Sequence, residues 1–202
     1  MSTQNQFYDR FYSKVGWKYD IERETKFMSE ILVPRSGWKP GDRVIEIGAG
    51  NCQHAEILRK LGFDITAVEA SPVGVTKARE DYPELDVVCA DAGDFVSERP
   101  GHVYARGMSW YHYEQDGVNR KGIDVPAVTA RTFDKLVAPG HTFVMQIITD
   151  FSGSQKGEHV HMNTEQAYRN LFSRFGPTKI YDWSGNPVGK GSRGVIVVTE
   201  KQ

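Results

Sequence analysis

The chain has 202 residues, 39% of them hydrophobic and 25% charged, enough for one domain with a sizeable core. Its 25 Lys and Arg nearly balance its 26 Asp and Glu, so no overall field draws in a polyanion, and nucleic acid is not an expected partner. The opening MSTQNQFYDRFYSKVGW lacks the apolar run of a secretory signal, no stretch reaches bilayer length, and Cys52 and Cys89 are the only cysteines, so a soluble cytoplasmic protein without membrane partner, disulfide framework or metal site is expected.

Residues 7–19 carry Phe7, Tyr8, Phe11, Tyr12, Trp17 and Tyr19 on a polar background with no strand period, which reads as short helices that cover something. From Asp20 to Leu32, Ile21, Met28, Ile31 and Leu32 share one helical face, and Pro34, Ser36 and Gly37 are expected to stop that helix. Residues 1–38 are thus expected to form a helical cap or lid on a main domain over 39–202.

KPGDR at 39–43 turns into a short strand, Val44–Ile47, that ends at Gly48-Ala49-Gly50. A helix over His54–Leu61, a strand over Phe63–Val68, a helix over Val73–Asp81 and a strand over Leu85–Cys89 follow. This alternation is the mark of a parallel sheet wrapped by helices. His102–Met108 is the expected fourth strand, Val125–Leu136 a helix, His141–Ile148 the fifth strand, and Thr164–Phe175 a helix with Thr164 as N-cap. Thr178–Trp183 and Val195–Thr199 have no helix between them and should pair antiparallel. The expected fold is therefore α/β and doubly wound, with a mostly parallel seven-stranded sheet closed by a C-terminal antiparallel hairpin. Cys52 and Cys89 both read as small apolar packing groups rather than reactive thiols.

Ligands of such sheets lie beyond the carboxyl ends of the strands. The first strand-to-helix turn reads Glu46-Ile47-Gly48-Ala49-Gly50-Asn51-Cys52, whose glycines allow a tight bend and close approach of a ligand. A dinucleotide turn would have a further glycine where Gln53 stands, and Glu46 would repel a diphosphate. Glu69 closes the second strand, where a carboxylate can accept from both ribose hydroxyls, and Asp91 closes the third, where it can accept from the amino group of adenine. Three acids in this order suit a ligand with an amino group, a ribose and an adenine but no phosphate.

In these segments the sequence resembles the class I S-adenosylmethionine-dependent methyltransferases, in a Rossmann-like methyltransferase fold. VIEIGAGNC is similar to their first motif, AVEAS to the acidic end of their second strand, and CADAGDF to the segment that holds adenine, and the resemblance covers about residues 40–150. The family often has a third glycine where this chain has Cys52. The resemblance implies S-adenosylmethionine as cofactor, with Glu46, Gly48, Ala49 and Gly50 around its methionine part and ribose edge. It further implies Glu69 on the ribose hydroxyls, Ala70 against the adenine, Asp91 and Ala92 at the adenine edge, and Met108 in the same cofactor-binding set.

A small-molecule acceptor is expected beyond the fourth strand, along Gly107 to Glu114. His112 is the candidate general base, which favours oxygen over nitrogen as the attacking atom, and Trp110, Tyr111 and Tyr113 are candidate walls for the acceptor. Tyr12, Trp17 and Tyr19 are candidates for a lid over the cofactor. His159 and His161, near Asp150 and Glu158, would face one way on a strand and could bind a metal or act as a second base. The surrounding FSGSQKGEHVH, however, reads as a loop with incidental histidines, and Lys190 and Arg193 as solvated charges. The competing classes are a nicotinamide-dependent oxidoreductase, disfavoured by Gln53 and Glu46, and a non-catalytic S-adenosylmethionine-binding module.

Overall fold

The computed structural model describes residues 3–14, 16–111, 122–149, 151, 164–189, 192 and 194–202, grouped into two compact units at 1–98 and 99–202. Residues 1–38 belong to the first unit rather than forming a unit of their own.

The first unit opens with helix α1 (Thr3–Lys14) and helix α2 (Ile21–Phe27), the latter capped by Asp20, whose side chain accepts from the Arg23 amide at 3.1 Å. The helical path continues as a wide π-turn over Met28–Leu32, in which the Val33 amide reaches back to the Met28 carbonyl, and then as α3 (Val33–Ser36). Of the three residues expected to stop this helix, Gly37, at φ +74°, does so, whereas Pro34 sits in the first turn of α3, where its missing N–H is tolerated.

Next come β1 (Arg43–Ile47), α4 (Gln53–Lys60), β2 (Asp64–Glu69), α5 (Pro72–Asp81) and β3 (Asp86–Cys89). β1 pairs parallel with β2 from Arg43↔Asp64 to Ile47↔Val68, and β2 with β3 from Thr66↔Asp86 to Glu69↔Cys89. Val44–Ile47 and Ile65–Glu69 are buried without alternation, because a parallel sheet is covered on both faces. Cys52 is buried as expected, but Cys89 ends β3 in an exposed position and is not a packing group.

The second unit holds β4 (His102–Arg106), a 3₁₀ turn (Ser109–Tyr111), α6 (Val125–Lys135), β5 (Thr142–Ile148), α7 (Glu165–Phe172), β6 (Thr178–Asp182) and β7 (Gly194–Glu200). β4 is shorter than expected because Gly107, at φ +61°, turns the chain before Met108. α7 also stops early, at Phe172, with Thr164 as the N-cap that the sequence indicated. β4 and β5 are parallel, whereas β7 runs antiparallel to both β5 and β6. Phe133, Phe143 and Phe172 form an aromatic core, with centroids 5.5 Å apart for Phe133 and Phe143 and 5.4 Å for Phe143 and Phe172. Gly194 starts β7 because any Cβ there would meet the Trp183 indole at 2.6 Å.

The strand order is β3-β2-β1-β4-β5-β7-β6, the expected doubly wound sheet with its antiparallel hairpin. Among the described residues, no helix is long and apolar enough to cross a membrane.

Candidate active site

The bend after β1 is built from left-handed residues at alternate positions: Gly48 at φ +64°, Gly50 at φ +62° and Cys52 at φ +58°. Cys52 is the one non-glycine residue with positive φ among those described, so it stands where the backbone asks for the third glycine, at a cost of about 1 kcal/mol. Its thiol is pushed well up by burial and by the nearby charges of Glu46 and Glu69, which leaves it a packing group and not a nucleophile.

Glu69, 6% exposed, is gripped by backbone: its Oε2 accepts from the Gly50 amide at 2.7 Å and its Oε1 from the Ser71 amide at 2.8 Å. Burial raises its carboxyl above the ordinary 4.5, against the opposing effect of those amides. The Ala70 amide also favours its charged form, and the carboxylate, so oriented, keeps acceptor capacity for a hydroxyl.

Glu46 is 2% exposed near the end of β1. Asp91 is exposed after β3, its Oδ1 accepting from the Gly93 amide at 2.8 Å, with Ala92 buried beside it and Ala70 half-buried after β2. Gly48 is open to solvent, while Ala49 and Gly50 are buried. The eight expected cofactor residues of the first unit thus stand at three adjacent strand ends. Carboxylates beside an open glycine backbone fit a cationic nucleoside.

The N-terminal segment is fastened to this bend. Ser71 Oγ donates to Asp9 Oδ1 at 2.6 Å while capping α5 through the Gly74 amide at 3.1 Å, and Lys77 Nζ donates to the Tyr12 carbonyl at 2.5 Å. Asn51 Nδ2 donates to the Trp17 carbonyl at 2.6 Å. Tyr12 itself is buried, and its ring takes up the space that side chains at two glycines would need: a Cβ on Gly50 would lie 2.9 Å from its hydroxyl, and one on Gly74 3.1 Å from its Cδ2. Burial, followed by the charge of Glu69, drives the Tyr12 phenol strongly upward, so it remains a protonated donor.

The candidates of the second unit are placed differently. Met108 is half-buried and Trp110 buried. Tyr111 is 0% exposed, its ring 5.7 Å from Phe143 and 6.1 Å from Phe172, so it belongs to the aromatic core and is not an open acceptor wall. His112, Tyr113, Asp150, Glu158, His159, His161, Lys190 and Arg193 lie outside the described residues.

Sequence reasoning missed His54, which is 3% exposed, with Nε2 3.4 Å from Glu24 Oε2 and Nδ1 4.0 Å from Glu46 Oε1. Its place in the first turn after a glycine bend was a usable signal; its link to Glu24, thirty residues earlier, was not.

Residues 45–120 match a family model described as a methyltransferase domain. No curated protein sequence matches the chain. Among solved structures, an S-adenosylmethionine-dependent methyltransferase from Clostridium acetobutylicum is 14% identical over 100% of both chains, with a TM-score of 0.67. DesVI of Streptomyces venezuelae is 16% identical over 99% of both chains, at 0.63. The glycopeptide N-methyltransferase MtfA, solved with S-adenosyl-L-methionine, is 15% identical over 89% of this chain and 94% of its own, at 0.64. These structural likenesses share the fold, and the family match falls on the glycine bend and the acids described above. The segment 45–120 thus matches a methyltransferase domain, and the chain as a whole has the fold of S-adenosylmethionine-dependent methyltransferases.

Proposed function

We propose that this enzyme methylates a small-molecule acceptor in the cytoplasm, at oxygen in preference to nitrogen, with its cofactor held by the three strand-end acids. The observation that carries the cofactor reading is the double backbone grip on Glu69, which fixes a carboxylate while leaving it able to accept from a ribose hydroxyl. Glu46 takes the ammonium of the methionine part, Gly48, Ala49 and Gly50 line it with backbone, Ala70 packs on the adenine, and Asp91 with Ala92 meets its edge. Met108 completes the set.

When bound, S-adenosylmethionine supplies an electrophilic methyl group on a sulfonium, so the protein's task is to hold the acceptor in line and manage its proton. His112, six residues after β4, takes a proton from an acceptor hydroxyl, and Trp110 and Tyr113 flank the acceptor. Nitrogen is the runner-up, since MtfA carries the name of an N-methyltransferase. The free thiols of Cys52 and Cys89 and the absence of a long apolar helix among the described residues support the cytoplasmic reading.

Residues 1–38 act as the lid, with Tyr12 the side chain that reaches the glycine bend. Slower hydrogen exchange over residues 7–20 on adding cofactor is the expected result, and unchanged exchange would remove the lid role.

The test is thermal shift followed by an acceptor screen. S-adenosylmethionine and S-adenosylhomocysteine should raise the melting temperature and NAD should not, by ligand linkage. Stabilisation by NAD would sink the reading, and binding without methyl transfer to any hydroxyl or amine acceptor would leave the non-catalytic module.

A further inference from the structure

His54 has no part in the reading given so far, yet its surroundings are those of a working group. It is the second residue of α4, enclosed by three side chains: Glu24 of α2 faces Nε2 at 3.4 Å, Glu46 of β1 faces Nδ1 at 4.0 Å, and the Tyr19 ring meets it edge-on with centroids 4.7 Å apart. A histidine that only packs is satisfied by neutral partners, as His102 is: its Nδ1 accepts from the Thr142 amide at 2.9 Å. His54 instead stands between two acids, both largely withdrawn from solvent. Burying three ionisable groups together is costly unless they compensate one another. The imidazole turns one ring nitrogen toward each carboxylate, which ties the three side chains to one another across α2, α4 and β1.

We propose that His54 is a positioning residue for the amino-acid end of the cofactor. It fixes the orientation of the Glu46 carboxylate that receives the ammonium and ties that orientation, through Glu24, to α2. The inference rests on the assignment of Glu46 made above. It differs from a purely structural role in one respect: it acts on the amino-acid end of the ligand and leaves the nucleoside end alone, which belongs to Glu69 and Asp91.

The experiment is calorimetry on the full chain with two probes, S-adenosylhomocysteine, which has the amino-acid part, and 5′-methylthioadenosine, which lacks it. Wild-type protein should bind the first more tightly. In His54→Ala, which removes the imidazole 4.0 Å from the Glu46 carboxylate, affinity for S-adenosylhomocysteine should fall about tenfold while that for 5′-methylthioadenosine stays within about twofold. His54→Asn, whose amide nitrogen can stand near the place of Nδ1, should retain most of the discrimination, and His54→Gln, which serves the Nε2 side, should lose it.

Equal losses for both probes, or no loss for either, would overturn the proposal. Should the alanine variant fail to fold, the Asn and Gln variants decide alone, and identical behaviour of the two would refute it. Wild-type protein that binds both probes alike would instead strike down the assignment of Glu46, and with it this inference.

Discussion

The strands of the first unit and those of the second end in different ways. β1, β2 and β3 finish within two residues of Glu46, Glu69 and Asp91, and the last two of these acids are held by main-chain amides. On β4 and β5 the polar groups hold each other: Tyr104 Oη donates to Gln146 Oε1 at 2.5 Å, both wholly or nearly buried. Amide-held acids inherit their geometry from the sheet, so they suit a ligand that never changes. Contacts made by side chains alone shift with every substitution, which suits an acceptor that differs from one enzyme to another.

The comparison breaks most sharply at Glu69. Glu69→Ala removes the proposed acceptor for the ribose and strands the Gly50 and Ser71 amides, and should weaken S-adenosylhomocysteine binding by about a hundredfold in calorimetry. A loss under about threefold would mean that the amide-held acid is structural. His112→Gln probes the other side, and turnover should fall at least about tenfold with cofactor affinity intact, the size of a lost general base. Unchanged turnover would remove its catalytic role.

The pH dependence sharpens the same contrast at smaller effect. Glu69 must be ionised to accept from hydroxyls, and burial has raised its carboxyl, so cofactor affinity should decline as the pH falls through a value above 4.5. The sign for stability is the reverse: a carboxyl raised in the fold costs stability as pH rises through its folded value, so the ligand-free protein gains slightly in acid from this group. Glu69→Gln should abolish the acidic limb of the binding curve.

Smallest of all is Cys52→Gly. It relieves the left-handed strain at φ +58° but loses a buried side chain, so the melting temperature should move by only a few degrees, a change of about 1 kcal/mol or less. Cys52→Val, β-branched at the same φ, should destabilise clearly more.

The glycine bend and the strand-end acids, where we propose the cofactor binds, were legible in the sequence because their signals are local. A short apolar run followed by Gly48-Ala49-Gly50 dictates a strand and a bend, and each acid sits at the end of such a run. The boundaries in the first unit from β1 to β3 fall within one residue of expectation.

What escaped reading depends on partners distant in the chain. Tyr111 sits among apolar and aromatic neighbours in sequence whether it lines a pocket or fills a core, and only Phe143 and Phe172 decide the matter. The bond from Ser71 to Asp9 spans sixty-two residues, and the Glu24, His54 and Glu46 cluster joins three elements; neither leaves a periodicity to find. Pro34 was misjudged because its neutral effect depends on the unusual backbone just before it.

That wide turn at Met28–Leu32 sets an angular phase. One surplus residue in a helix rotates everything on one side of it by about 100° relative to the other. The carboxylate of Glu24 is therefore aimed by spacing as well as by its own packing. Deleting a single residue there would not merely shorten the segment; it would swing that carboxylate away from the α4 side, leaving the strand-end acids where they are.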